Sequence, residues 1–149
     1  MPGRFAALIT YLDYVIIVII NGKTKGDSNM DSSLKERVDL LHDTNQMSDQ
    51  IYQQLPGIFD RVEKFLGVKL LEENAGSFAS HISVALQRIS EGKPVSEISG
   101  ELQTVVKENP DFYEFAKELL SEKASETNID AEAAFITLYF CLLSGKENA

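Results

Sequence analysis

The sequence predicts an all-α fold, a compact antiparallel bundle of about five helices. Three observations predict it. After residue 30, apolar residues recur at spacings of three and four. The resulting stripes are bounded by residues that start or stop helices, and no stretch shows the period of two that a half-buried strand requires. A chain of 149 residues, 44% apolar and 25% charged, suffices for one domain with a core and leaves a second folded domain unexpected. Neither a solenoid-length repeat nor a low-complexity tract interrupts it.

Residues 1–29 differ in kind from the rest. FAALITYLDYVIIVII (5–20) is apolar and β-branched but carries Asp13 near its middle, and loop-like NGKTKGDSN follows. The run is shorter than the roughly 20 residues that cross a bilayer, and a carboxylate there is costly, so no membrane span is expected. Three readings stand: a signal or anchor after Arg4, although no small-residue cleavage site follows; an element docking on the domain; or an extension dispensable for the fold, with Met30 a candidate translation start. We take the third, with residues 30–149 as the single domain.

Ser33 and Glu36 have the spacing of a capping box. Leu34, Val38, Leu41, Met47 or Ser48, Ile51 and Leu55 then form one long stripe, which Pro56-Gly57 should end. IFDRVEKFLG (58–67) puts Ile58, Val62 and Phe65-Leu66 on one face and stops at Gly67, a natural left-handed cap. After VKLLEEN, the residues Ala75, Phe78, Ala79, Ile82, Ala85, Leu86 and Ile89 describe a half-buried helix that Gly92-Lys93-Pro94 terminates. Ser96 is the expected cap of a short helix carrying Ile98, Leu102, Val105 and Val106, with a bend at Gly100. Asn109-Pro110 should open a helix running to about Thr127 with Phe112, Phe115 or Ala116, Leu119 and Leu120 inward. Asp130 is the expected cap of AEAAFITLYFCLL, which is apolar nearly all round and so belongs in the middle of the bundle.

Charge and composition exclude several functions. With 14 basic and 23 acidic residues the net charge is −9, which repels a phosphate backbone, so direct nucleic-acid binding is not expected. The single cysteine, Cys141, lies in an apolar run and reads as a small buried hydrophobe. It permits neither a disulfide framework nor a thiol metal site, and a reducing cytoplasmic setting fits. Glycine-rich phosphate loops, HExxH and cysteine pairs are absent from the sequence, so no metal, cofactor or enzymatic activity is expected. Glu72-Glu73 and Asp60 with Glu63 read as solvated helix surface. His42 reads as a surface histidine, since its neighbour Asp43 does not face it on a helix.

His81, in SFASHISVALQR, is the position with chemistry. It lies one turn after Phe78 and one before Ala85, at the rim of the apolar stripe, with Arg88 two turns along roughly the same face. Two readings stay open on spacing alone. It is a satisfied structural histidine, or it is a phosphoryl acceptor whose neutral imidazole attacks and whose arginine meets the new phosphate oxygens.

SHISVALQR followed by GKP resembles the first motif of the phosphotransferase-system regulation domain (PRD), Asp-His-Ile/Leu-x-Phe-Ala-Ile/Leu-x-Arg. ENPDFYEFAKELLSEKASETNIDAEAAFITLYFCLL resembles its second half, which ends on Glu-x-Ala/Gly-Phe-Ile-x-Leu-His. The resemblance spans roughly Leu34 to Ser144. It implies a compact five-helix bundle, a regulatory role in bacterial sugar-uptake operons, dimerisation, and phosphorylation on histidine by the phosphocarrier HPr or a permease's B component. His81 matches the first acceptor and Arg88 the arginine after it. Ser80 stands where the family usually has Asp, and Tyr139 stands where the second acceptor histidine would be; a phenol with a pKa near 10 does not replace imidazole in such a relay.

The family's usual RNA-binding or helix-turn-helix partner module has no counterpart here, so the resemblance implies a solitary PRD acting through a homodimer or a regulatory protein partner. The leading expectation is association tuned by phosphate on His81. The alternative is a structural adaptor that keeps the PRD fold without accepting phosphate. A small helical enzyme would need ionisable groups converging on a deep cavity.

Overall fold

The computed structural model describes residues 30–121 and 128–145. Six helices, and no strand among the described residues, are formed: α1 Ser32–Asp43, α2 Asp49–Leu66, α3 Glu72–Ser90, α4 Gly100–Glu108, α5 Pro110–Ser121 and α6 Asp130–Ser144. The apolar run 5–20 and the expected extension of α5 to Thr127 lie outside the described residues.

The first boundary differs from the expected one. Asp31, not Ser33, caps α1: its Oδ2 accepts from the Leu34 N–H at 3.1 Å and from the Glu72 N–H at 3.2 Å. One carboxylate therefore serves the starts of both α1 and α3, where the helix dipole favours negative charge. Ser33 falls inside the first turn of α1.

The expected long first helix is cut in two at Asp43. Asn45 adopts φ +66°, the left-handed conformation that asparagine tolerates better than most residues. The N–H groups of Asn45 and Gln46 then close on the carbonyls of His42 and Leu41, a Schellman turn. Met47 is buried in the break that follows.

Pro56-Gly57 does not end a helix; α2 runs through it to Gly67, whose φ of +71° supplies the expected left-handed cap. An interior proline costs about 3 kcal/mol. Continuing the helix keeps Ile51, Leu55, Ile58, Phe59 and Val62 buried on one face. At ~1.5–3 kcal/mol per fully buried side chain, that face outweighs the proline.

Two further caps are corrected. Ser99, not Ser96, caps α4, its Oγ accepting from the Leu102 N–H at 3.2 Å, and Gly100 is the first helical residue rather than a bend. The reason is tertiary: the preceding Val95 amide donates to Glu132 of α6, and Pro94 disfavours helix at Lys93. At α6 the N-cap position is Ile129, while Asn128 Oδ1 accepts the Asp130 N–H at 2.8 Å. Asp130 is thus the first helical residue. Pro110 opens α5 as expected.

α6 is central, packing against α2, α3, α4 and α5, while α3 also packs on α1 and α2. Phe78 of α3 lies 6.0 Å from Phe59 of α2 and 5.9 Å from Phe140 of α6, centroid to centroid, and this aromatic chain joins three helices. Phe65 stacks on Phe115 at 4.1 Å. Cys141 is buried as expected. Of the buried polar groups, Ser83 and Thr137 donate to the carbonyls four residues back. The third, Glu132, belongs to the site.

Candidate functional site

α3 presents His81 across the bundle to α6. The same apolar phase that buries Phe78, Ile82 and Ala85 leaves position 81 at the stripe's edge, and 21% of the side chain stays exposed. The ring packs between Phe135 (centroids 5.3 Å) and Tyr139 (5.2 Å) of α6. Its Nε2 is buried without a hydrogen-bond partner, 3.9 Å from Glu132 Oε1 and so beyond bonding distance. Burial pushes the His81 pKa below the ordinary 6.5; Arg88 adds to the fall and Glu132 opposes it. At neutral pH the ring is therefore uncharged and nucleophilic.

Arg88 shares a solvent-open depression of about 380 Å³ with His81, Ser77, Ser80, Arg37, Val84 and Tyr139. Its guanidinium is already engaged: Nε donates to Glu132 Oε2 at 2.8 Å and Nη2 to Oε1 at 2.9 Å. This bidentate pairing raises the Arg88 pKa further. Glu132 is fully buried, and its Oε2 also accepts the Val95 N–H at 2.8 Å. A buried carboxylate needs such compensation. Sequence reading did not single out Glu132, although it is the first letter of the motif EAAFITLY.

Ser80, where the family's aspartate is usual, accepts from Arg37 Nη1 at 3.0 Å. Arg37 also pairs through Nε and Nη2 with Glu72, which is therefore not merely solvated surface. Gly76 makes room for this pair: a Cβ there would stand 2.9 Å from both Arg37 Nη2 and Glu72 Oε2. Nothing in the sequence marks Arg37, because its partners lie 35 and 43 residues away.

Tyr139, which the resemblance sets at the place of a lost acceptor, faces His81 across the helix interface. An imidazole at that position would have formed a histidine pair. His42 does not join the depression. It is half-buried rather than a free surface residue, stacked on Tyr52 at 4.2 Å with Nε2 2.6 Å from Asp49 Oδ1. Asp43 stands 3.7 Å from the other nitrogen. The Asp49 contact crosses the break between α1 and α2, which local spacing does not show.

Among the described residues, no group of histidine, cysteine and carboxylate side chains could hold a metal ion, and no helix is long and apolar enough to cross a membrane.

The family model for the PRD domain matches residues 56–141, more than half of the chain. The chain belongs to the PRD family. The match runs from the middle of α2 almost to the end of α6 and contains His81, Arg88, Glu132 and Tyr139. It is narrower than the Leu34–Ser144 span of the motif resemblance, and Arg37 lies outside it. No curated protein and no solved structure matches the chain.

Proposed function

We propose that this PRD is a non-enzymatic bacterial regulatory domain of the sugar phosphotransferase system, acting in the cytoplasm, that accepts a phosphoryl group on His81. The phosphocarrier HPr or a permease's B component is the donor. The observation that carries the reading is the state of His81: an uncharged ring at the rim of an open depression, with two arginines and two serines around it. In the transfer, an unprotonated ring nitrogen forms a bond to phosphorus while the donor's bond to phosphorus breaks, and the ring N–H proton returns to the leaving donor or to water. The product carries ≈ −1.5 to −2 charge at the rim, enough to shift a monomer–dimer or partner equilibrium.

One observation favours the adaptor reading. Both arginines that line the depression are paired with carboxylates, Arg88 with Glu132 and Arg37 with Glu72, so neither is an idle countercharge for a phosphate. A single experiment separates the two. Incubation with the general phosphotransferase proteins and labelled phosphoenolpyruvate should give acid-labile label that survives His42→Ala and disappears in His81→Ala. Sedimentation of labelled and unlabelled protein should then differ. No label at all leaves the adaptor, and label that persists in His81→Ala overturns both readings.

A further inference from the structure

Resting on the reading of His81 as a phosphoryl acceptor, we propose that phosphate on His81 draws Arg88 from Glu132 and thereby opens the clip that holds the α3–α4 connector to α6. The clip is the Val95 N–H donating to Glu132 Oε2 at 2.8 Å. Among the described residues it is the hydrogen bond that ties segment 94–98 to a helix other than its neighbours.

The same carboxylate oxygen accepts from Arg88 Nε, so the guanidinium and the connector compete for, and jointly position, one buried group. His81 Nε2 lies 3.9 Å from the other oxygen of that carboxylate. A phosphoryl group on the ring adds close to two negative charges within the depression that Arg88 also lines. With Arg37 held by Glu72, the phosphate and Glu132 then contend for the Arg88 guanidinium, and phosphate offers the planar fork the stronger pairing. Glu132 has no exposure of its own, so without its countercharge it turns towards the solvent-open depression. That rotation takes Oε2 off Val95.

What is released is the connector that leads into α4. Residues 94–98 form no helix, and α4 contributes one buried side chain, Leu102. Segments with few buried apolar contacts open at low free energy, so loss of one anchoring bond is felt there first. α3, with nine buried residues, stays in place.

The test uses the full chain carrying His42→Gln, so that His81 is the only histidine. Potassium phosphoramidate serves as donor: its P–N bond breaks as the ring nitrogen bonds to phosphorus, ammonia leaves, and no protein partner is needed. 31P NMR reads the phosphohistidine, and amide hydrogen exchange reads the clip. Exchange at Val95 should quicken roughly tenfold or more, with Leu102 following, while Ile82 and Leu86 remain protected. In Glu132→Gln, which keeps a carbonyl acceptor but not the charge, phosphorylation should leave Val95 exchange unaltered. Phosphohistidine formed with no change at Val95 overturns this proposal and leaves the acceptor reading standing; no phosphohistidine overturns both.

Discussion

Arg88→Met isolates the energetic weight of the buried ion pair. Methionine keeps most of the apolar stem and removes the two charge-assisted bonds, at 2.8 and 2.9 Å, that compensate Glu132. The carboxylate, with 0% exposure, is left without its countercharge, and the Val95 N–H alone does not hold it in place. Breaking a buried pair from one side costs ~3–5 kcal/mol. The lower end applies here, since Arg88 is 31% exposed and the open depression lets water approach. About 3 kcal/mol is a fifth to three fifths of the ~5–15 kcal/mol that holds a typical domain together.

Urea unfolding followed by far-UV circular dichroism measures the loss. With a slope of ~1.5–2 kcal/mol/M the midpoint should fall by about 1.5–2 M. Adding Glu132→Gln to Arg88→Met removes the stranded charge and should restore at least ~1 kcal/mol. An Arg88→Met midpoint lowered by less than ~0.5 M at unchanged slope, which is under ~1 kcal/mol, would refute the view that this pair anchors α3 to α6.

His81 should titrate by NMR with a midpoint below 6.5, because burial and Arg88 disfavour its cation. The unfolded chain then takes up the proton first, so the ring's contribution to stability is present above pH 6.5 and is lost as the pH falls below it; His81→Gln should flatten that slope in urea midpoints measured between pH 7.5 and 5. Gly57→Ala, in the interior of α2 with no atom within 4 Å of the new Cβ, should stabilise the fold by ~0.5–1 kcal/mol, and an unchanged melting curve would count against the continuous α2. Gly76→Ala should displace the Arg37–Glu72 pair while leaving the α3 backbone in place, visible as a shift of the Arg37 Nε–H signal and loss of its coupling to Ser80 without a lower melting temperature.

The helical class, the buried stripe of α3, the Gly67 cap and the central place of α6 could all be read from spacing and composition, whereas of the stripe expected in α4 only Leu102 is buried and Phe65 of α2 is 42% exposed. Each feature so read depends on contacts within a few residues, or on which side of a 3.6-residue helix a side chain emerges. His81 at the stripe's edge was legible for the same reason. Where the reading failed, a distant group had intervened. Asp31 replaced Ser33 as a cap because it also meets the Glu72 amide, 41 residues on. Pro56 stayed inside α2 because the face around it is buried by other helices.

The site divides along the same line. Local periodicity placed His81 and Arg88 on one helix and α6 at the centre. Only the packed structure decided that Arg88 belongs to Glu132, 44 residues away, and that Arg37 belongs to Glu72 and Ser80. Helix geometry is dictated by neighbouring residues, whereas the partner of a charge depends on which helix faces merge when apolar stripes are buried, and that register is set by the whole core.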